Sequence, residues 1–328
     1  MENRPRYPLL FNPNARSQKG RRALRFLMSH AQDFILYATR GVDDARDLAR
    51  KLADDGEPVI IAAGGDGTLN AIVQGLMGAE TALGILPTGT MNVFARELGI
   101  PVPNNVVMPL KKAIEVIHQG HVKEVDLFVA NELPFIQMAG VGIDAEIIEN
   151  TSWEMKKALG PLSYLLSAVK VIGENPPKLK ITMPDGSIEE GVAVLAGNGE
   201  LYGGQIKLFN KANLYDDLLD VIIFKEGGYR IVLDSIRGLA VGDIELSDKT
   251  VCYRQVNSML VESEIEIPLQ LDGELIGRSK QFSFRPKSTK LRVIAPEYPN
   301  ENKIAEKFKQ FVQQANPLLQ SQSDSKKK

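Results

Sequence analysis

The stretch VIIAAGGDGTLN occupies residues 59–70 and combines three signals. Its first five residues form a continuous apolar run, which is typical of a strand buried on both faces. Gly64, Gly65 and Gly67 let the backbone turn tightly and approach a ligand, and apolar residues recur at helical spacing from Leu69 onward. A strand, a glycine-rich turn and a helix N-terminus in this order indicate a cradle for phosphate groups.

Asp66 is unusual in a cradle for anions. A carboxylate repels phosphate unless a divalent cation or a hydroxyl proton lies between them. The presence of Asp66 therefore favours phosphoryl transfer, with this carboxylate as a candidate catalytic group. The alternative interpretation is that Asp66 caps a helix that begins in a glycine-rich turn.

Two further polar turns are expected beside the cradle. The turn PTGTMN (87–92) follows a predicted strand at 83–86, and the turn NPNARS (12–17) follows a predicted strand at 9–11. The carboxyl ends of parallel strands open at one edge of a sheet, where ligands of α/β proteins usually bind, so the three turns are expected to converge. Alternating apolar runs and helical patterns predict a doubly wound α/β domain in this part of the chain.

From about Val122 the pattern changes to short strands separated by turns, which predicts a mainly antiparallel β-sandwich or flattened barrel. Residues 178–197 (KLKITM, the turn PDG, then GVAVLAG) are expected to form one hairpin. Helices are predicted at 153–172, 231–239 and 304–315. The predicted domains are an α/β nucleotide-binding domain (1–125, joined by 290–316) and a β-sandwich domain (126–289), with a disordered tail (317–328).

Composition argues against several classes of protein. Among 328 residues, 39 Lys and Arg stand against 41 Asp and Glu, so no overall basic field exists to hold nucleic acid. The single cysteine, Cys252, cannot form an internal disulfide or a cysteine metal cluster. The N-terminal residues lack the apolar run of a signal peptide, and no run reaches the roughly 18 apolar residues that span a bilayer. We therefore expect a cytoplasmic protein whose membrane contact is peripheral.

Seven motifs along the chain resemble, in order, those of the bacterial diacylglycerol kinase and YegS-like lipid kinase family, whose catalytic domain is shared with sphingosine and ceramide kinases. The matching segments are FNPNA (11–15), GGDGTLN (64–70), LPTGTMNVFARELG (86–99), GVGIDAEI (140–147), GNGELYGGQIKL (197–208), DDLLDV (216–221) and LDGE (271–274). The resemblance covers nearly the whole chain. It implies an NAD-kinase-like α/β domain, a β-sandwich domain, ATP and magnesium between them, and a lipid at the membrane surface as phosphate acceptor. A homodimer is left open.

The resemblance also implies roles for individual residues. It assigns ATP contacts to Asn12, Pro13, Asn14, Ala15, Arg16, Thr39, Gly64, Gly65, Asp66, Gly67, Thr68, Leu69, Asn70 and Thr90. The family's proton acceptor lies in the DGE motif, with Glu274 the usual assignment and Asp272 near enough to share the role. A carboxylate suits this work, because it can accept the proton of the acceptor hydroxyl while the oxygen attacks the γ-phosphate. Without the resemblance, the same residues predict a plain turn between two strands.

A structural magnesium site is a further implication of the resemblance. It would use the Asp216 side chain and the main-chain carbonyls of Asn213 and Leu218, and such oxygen donors are what magnesium prefers. Asp217 stands where the family usually has Gly, so the turn either tolerates Asp or changes shape.

Two other departures bear on function. Ala71 stands where the family usually carries Glu, and Val93 stands where it usually carries Asp, which leaves ATP binding better supported than the identity of the acceptor. The leading hypothesis is an ATP-dependent lipid kinase acting on a lipid such as diacylglycerol. The alternatives are an enzyme of the NAD kinase type and a nucleotide-binding regulator without catalytic activity.

Overall fold

The structure, a computed structural model, describes residues 6–13, 25–30, 33–102, 108–142, 176–203, 206–226 and 251–297. The first half alternates strands with helices. Its elements are β1 (Tyr7–Phe11), β2 (Phe34–Ala38), α1 (Val42–Asp54), β3 (Val59–Gly64), α2 (Asp66–Leu76), β4 (Ala82–Pro87), α3 (Val93–Glu97), α4 (Met108–Gln119) and β5 (Val122–Val125). The α/β pattern predicted from apolar periodicity is confirmed.

The first sheet places the predicted turns at one edge. Its order is β2-β1-β3-β4-β18-β5, where β18 (Leu291–Ile294) comes from the end of the described chain. Strands β1, β2, β3 and β4 run parallel, and Gly64 at the end of β3 lies opposite Pro87 at the end of β4. The carboxyl ends of β1, β3 and β4 therefore open at the same edge, as predicted.

The second half is antiparallel. Its further strands are β6 (Phe128–Ala130), β7 (Leu133–Phe135), β8 (Met138–Gly142), β9 (Leu179–Thr182), β10 (Ile188–Gly191), β11 (Ala193–Gly197), β12 (Leu201–Tyr202), β13 (Ile206–Lys207), β14 (Leu219–Phe224), β15 (Val251–Val256), β16 (Met259–Leu271) and β17 (Glu274–Pro286). Ten of them form one sheet with the path β15-β14-β11-β8-β16-β17-β6-β7, to which β9 and β10 attach. The predicted class, an α/β domain followed by an antiparallel β domain, is confirmed.

Each sheet has its own core. Leu9, Ile61 and Leu83 are fully buried in the first, and Ile181, Val261 and Phe135 in the second. The chain passes from the first sheet to the second at Asp126 and Leu127, and β18 returns it to the first sheet. Leu127, Ile136 and Leu214, which lie beyond β5 in the chain, are buried in the core of the first sheet, so apolar as well as polar contacts join the two domains.

One predicted pairing is wrong. The hairpin partner of β9 is Ile188–Gly191, with Thr182 opposite Ile188, whereas β11, the segment predicted to fill this role, pairs with β8 and β14. The tight turn forces the first residues after it to pair, because the Met183 N–H already bonds to the Ser187 carbonyl and Gly186 adopts a φ of +83°. The short turn therefore outweighs the stronger apolar pattern of GVAVLAG.

Several predictions lie outside the described residues. They are the helices at 153–172, 231–239 and 304–315 and the tail at 317–328. Within the part of the chain that the structure describes, no helix is long and apolar enough to cross a membrane.

Candidate active site

The cradle between β3 and α2 is built from closely approaching main chain. A Cβ on Gly64 would lie 2.5 Å from the Thr68 Cβ, and a Cβ on Gly89 would lie 2.4 Å from the Gly65 Cα. The N–H groups of Thr88 and Gly89 both donate to the Gly64 carbonyl, at 3.0 and 3.1 Å. The two turns predicted to converge are thus in direct contact, and only glycine allows that contact at Gly89.

A left-handed residue shapes the second turn. Asn92 is buried with φ 48° and ψ 53°, a conformation that Asn tolerates better than most residues. Its side chain accepts the Gly89 N–H at 3.1 Å and donates to the Gly89 carbonyl at 2.9 Å. Thr90 is exposed at the tip of this turn. The loop therefore presents Thr90 outward while Asn92 fixes its backbone from inside.

Asp66 links the two turns. Its Oδ1 accepts the Val93 N–H at 2.8 Å, so the carboxylate serves the start of α3 rather than only its own helix. Burial raises the pKa of Asp66 above its ordinary value, and hydrogen bonds from the main chain at Val93 and Asn92 oppose that rise. Both earlier interpretations had placed this side chain in the cradle, and neither identified its bond to the second turn.

Arg96 supplies a positive charge here that the sequence analysis did not single out. Its Nε donates to the Met91 carbonyl at 2.8 Å. Burial lowers the pKa of Arg96, and the charge of Asp66 opposes that effect, so the two groups lie within electrostatic range. The guanidinium has further N–H donors for a phosphate at this edge. The sequence did contain a signal for this residue, because Arg96 belongs to the motif LPTGTMNVFARELG (86–99).

The DGE motif is both a turn and a site. Asp272 and Gly273 join β16 to β17 with φ values of 49° and 86°, as a two-residue hairpin turn requires. The Asp272 carboxylate accepts three main-chain N–H bonds, from Ile136 at 3.0 Å, Gln137 at 2.8 Å and Met138 at 3.0 Å. Burial raises its pKa from 3.8 to about 6, those three bonds oppose the rise, and the charge of Asp66 adds to it.

Glu274 faces the cradle from the second domain. The residue is exposed, and a Cβ on Gly67 would lie 3.5 Å from its Oε1. Gly67 is the second residue of α2, where helical N–H groups have no partner within the helix. The first domain's glycine-rich cradle and the second domain's carboxylate therefore meet at this point.

A fourth carboxylate, Glu97, ties the domains together and was not predicted. Glu97 accepts the main-chain N–H groups of Glu200 and Leu201, both at 3.0 Å, and the Gln137 side-chain amide at 3.0 Å. The Gln137 amide also donates to the Leu201 carbonyl at 3.1 Å. Burial is the chief cause that raises the pKa of Glu97. Helix α3 of the first domain is thereby fixed to the segment 197–201 of the second.

The remaining predicted ATP contacts differ in placement. Asn12 and Pro13 directly follow β1 at the carboxyl edge, while residues 14–16, which include Asn14, Ala15 and Arg16, lie outside the described residues. Thr39 is buried at the end of β2, and its hydroxyl donates to the Phe11 carbonyl at 3.2 Å, so it serves the sheet. Leu69 and Asn70 are buried on α2. Thr68 lies against Gly64 as described above.

The predicted magnesium ligands lie in the loop before β14. The Asp216 carboxylate accepts the Leu218 N–H at 3.1 Å, and the Asn213 side chain accepts the Tyr215 N–H at 3.2 Å. Burial raises the pKa of Asp216, and the charges of Asp126 and Asp217 add to that effect. Among the described residues, no group of three or more His, Cys, Asp and Glu side chains has the arrangement of a metal site.

Family models and curated relatives match most of this chain. Residues 6–130 match the model of the diacylglycerol kinase catalytic domain, and residues 137–295 match that of the YegS C-terminal NAD kinase beta sandwich-like domain. A diacylglycerol kinase of Staphylococcus aureus (strain MRSA252) is 30% identical over 284 residues, which cover 84% of this chain and 88% of the relative. A diacylglycerol kinase of Bacillus subtilis is 30% identical over 246 residues, covering 74% and 79%.

Solved structures show the same fold. A crystal structure of a diacylglycerol kinase from Bacillus anthracis superposes with a TM-score of 0.70 at 27% identity, covering 89% of this chain and 97% of that one. An NAD kinase from Archaeoglobus fulgidus in complex with ATP gives a TM-score of 0.52 at 11% identity, covering 92% and 98%. At that identity the second likeness concerns the fold alone.

Proposed function

This chain belongs to the family defined by the diacylglycerol kinase catalytic domain, and from that premise we propose that it transfers the γ-phosphate of ATP to a hydroxyl of a membrane lipid such as diacylglycerol. The observation that carries the proposal is the approach of Glu274 to the start of α2 at Gly67. A carboxylate there can reach a hydroxyl that approaches a phosphate in the cradle, which is the arrangement phosphoryl transfer needs.

The cradle fits the phosphate chain of ATP. At Gly64 and Gly89 a Cβ would clash with its neighbours, and at Gly65 it would lie 3.3 Å from the Gly89 Cα, so the two turns bring bare main chain together at the place proposed for the phosphates. The N-terminus of α2 adds N–H donors and a partial positive charge, and Arg96 adds a full one. These groups hold and orient the phosphates and stabilise charge on the transferred group.

In the proposed reaction, Glu274 accepts the proton of the lipid hydroxyl while the hydroxyl oxygen forms a bond to the γ-phosphorus. The bond between that phosphorus and the bridging oxygen breaks, and its electron pair leaves with ADP. Asp272 acts differently, because its carboxylate already accepts three main-chain N–H bonds. We assign it the role of a positioning residue that fixes the turn carrying Glu274.

Magnesium bound with ATP would be held by phosphate oxygens and the Asp66 carboxylate, and it would neutralise charge during transfer. Asp66 fits this use because its carboxylate lies where the two turns meet, with Oδ1 accepting the Val93 N–H. The bond to Val93 orients the carboxylate relative to both turns. A change of Asp66 would therefore affect the position of the second turn as well as the charge at the site.

Two exposed apolar side chains support a lipid acceptor. Leu275 and Ile276 directly follow Glu274 on β17, and each is 39% exposed. Val93, which replaces the family's usual Asp, is also apolar and begins the helix beside Asp66. An acceptor with an acyl region next to its hydroxyl would bury these groups on binding, at a gain of about 25 cal/mol per Å² of apolar surface.

The experiment is to incubate the purified protein with ATP labelled at the γ-phosphate, magnesium, and vesicles of a total lipid extract, and to identify labelled products. A parallel reaction contains diacylglycerol as the only acceptor. We expect label in the lipid phase, as phosphatidic acid where diacylglycerol is the acceptor. Label in another lipid would correct the acceptor and keep the class of reaction, whereas ATP binding without any labelled lipid would contradict the proposal.

The competing assignment to an enzyme of the NAD kinase type is tested in the same reaction by adding NAD. The likeness to an NAD kinase extends to the fold, while the DGE turn and the second turn follow the lipid kinase pattern. We expect no labelled NADP. Formation of labelled NADP in place of labelled lipid would reverse the assignment, and retention of bound ATP without either product would favour a non-catalytic regulator.

A further inference from the structure

A lysine lies at the junction of the two domains, beside the predicted magnesium loop. The Lys290 Nζ is 2.6 Å from the Asp126 Oδ1 and 3.2 Å from the Asp217 Oδ2. Lys290 immediately precedes β18 of the first sheet, Asp126 follows β5, and Asp217 precedes β14 of the second sheet. One ammonium group thus contacts segments from both domains.

Asp126 requires this cation. Its side chain is 1% exposed, and a carboxylate buried to that extent is costly without a positive partner and hydrogen bonds. Its Oδ2 accepts the Asp217 N–H at 2.6 Å, and its own N–H donates to the Leu214 carbonyl at 2.8 Å. The carboxylate therefore holds the loop through the backbone, while Lys290 neutralises its charge.

The residue type at position 217 and the register of β18 with β5 together produce this contact. Asp217, which stands in place of the family's usual Gly, adopts a φ of 58°, so it keeps the left-handed turn that Gly would provide. Its side chain then adds a negative charge that Lys290 also contacts. The register of β18 with β5, in which Leu291 lies opposite Val125, brings the residue before β18 beside Asp126.

The side chain expected to bind magnesium, that of Asp216, already takes part in a hydrogen bond within the protein. Of the expected ligands, the Asp216 carboxylate accepts the Leu218 N–H, and the two carboxylates whose charges act on it, Asp126 and Asp217, share the ammonium. A magnesium ion needs about six oxygens near 2.1 Å in octahedral arrangement, and a neighbouring ammonium would repel it. The residues present therefore do not fit a structural magnesium ion.

From this geometry we infer that the Lys290 ammonium occupies the cation position of the domain junction, in place of a structural magnesium ion. The chain then holds its domains together through an internal charge, and its stability does not depend on a divalent cation. The inference concerns the junction and not the transfer of phosphate. Magnesium that accompanies ATP during catalysis is unaffected by it.

The test measures the melting temperature of the full chain without nucleotide, in EDTA and across a magnesium titration at constant ionic strength. We expect no saturable change in the wild type and the same response in Asp216→Asn. A saturable rise in the wild type that Asp216→Asn abolishes would overturn the inference. Because neither protein loses Lys290, this comparison stands even where a lysine variant fails to fold.

A lysine variant gives the second arm. Lys290→Met should lower the melting temperature by roughly 5 °C or more, because it leaves Asp126 buried without its cation. Added magnesium should restore part of that loss by binding the carboxylates that Lys290 releases. The control is Lys287→Met, whose lysine is 28% exposed against 32% for Lys290 but pairs with the exposed Glu132 at 3.8 Å.

Lys287→Met should change the melting temperature by less than about 2 °C, as expected for a surface pair, and should not respond to magnesium. Equal, small losses in the two lysine variants would contradict the inference. So would a Lys290→Met protein that is destabilised but gains nothing from magnesium, because the position would then not be one that a cation can fill.

Discussion

The cradle and the domain junction hold charge in opposite ways. The cradle is made of glycines at which main chain approaches main chain, with N–H groups at the start of α2 to which the proposed function assigns a negative ligand. The junction is made of the carboxylates of Glu97 and Asp126, which already accept N–H groups from the second domain. A region that must bind a ligand therefore keeps its donors, whereas a region that must hold two domains together uses them.

The largest effect on nucleotide binding is expected in the cradle, from Gly89→Ala. The added Cβ would lie 2.4 Å from the Gly65 Cα, which is backbone and cannot rotate away, so the two turns must separate. We expect ATP affinity to fall by more than about 100-fold in calorimetry, since both phosphate-binding turns move. Gly41→Ala is the control, because a Cβ there meets nothing within 4 Å.

Wild-type ATP affinity in Gly89→Ala would show that the contact of the two turns is not what binds the nucleotide. Melting curves of both variants distinguish a local from a global effect. If Gly89→Ala lost affinity only through unfolding, its melting temperature would lie below the assay temperature. In that case only the junction variants, Lys290→Met and Glu97→Gln, would test the difference between the cradle and the junction.

Asp272 gives an intermediate effect that depends on pH. Its pKa in the folded protein is raised from 3.8 to about 6, so the folded state binds a proton more readily than the unfolded state. Stability contributed by this group is therefore present at low pH and is lost as pH rises through about 6. The melting temperature of the wild type minus that of Asp272→Asn should fall from about pH 4 to about pH 6.5.

A difference that stays flat or rises over this range would contradict the raised pKa. Asn at 272 does not titrate, so the subtraction removes the contributions of carboxyls that do not interact with Asp272, whereas Asp66, whose charge acts on Asp272, is the exception. Thermal unfolding in a buffer series of constant ionic strength is sufficient. The variant also tests the positioning role, because one amide oxygen cannot replace both carboxylate oxygens toward the three N–H donors.

The smallest effect is expected at Glu97. Glu97→Gln keeps the shape but turns an NH₂ group toward a main-chain N–H that now bonds to a carboxylate oxygen. We expect the free energy of unfolding in urea to fall by about 1–2 kcal/mol. Glu80→Gln is the control, since the Glu80 side chain is 95% exposed and its pair with Arg292 should contribute little.

A loss at Glu97 no greater than at Glu80 would mean that the junction is held elsewhere. A larger loss together with a second unfolding transition would show that the Glu97 carboxylate couples the unfolding of the two domains.

The cradle was predictable because its determinants are local. The glycines of residues 64–67 and the turn at 87–92 adjoin apolar strands, and parallel pairing brings such ends together without further information. The same reasoning failed for the hairpin after β9, where a tight turn outweighed the apolar run of β11. Local pattern alone does not decide between two competing strands.

The junction was not predictable, because its partners lie far apart in sequence. Asp217 was visible as a departure from Gly, but nothing near it pointed to Lys290, 73 residues further on. The roles of Glu97 and Gln137 likewise depend on contacts between domains, and Gln137 lies in none of the seven motifs. The DGE turn was only partly predictable. The turn itself could be predicted from the sequence, but the approach of Glu274 to Gly67 depends on how the two domains fold together.

The most direct test of the account compares Glu274→Gln with Asp272→Asn in lipid phosphorylation, with ATP affinity measured separately. If Glu274 accepts the proton, Glu274→Gln should lower kcat by roughly 10² to 10⁴ and leave ATP affinity unchanged. Asp272→Asn should lower kcat less, because it only displaces the turn that carries Glu274. Full kcat in Glu274→Gln would contradict the assignment and leave Asp66 as the remaining candidate base.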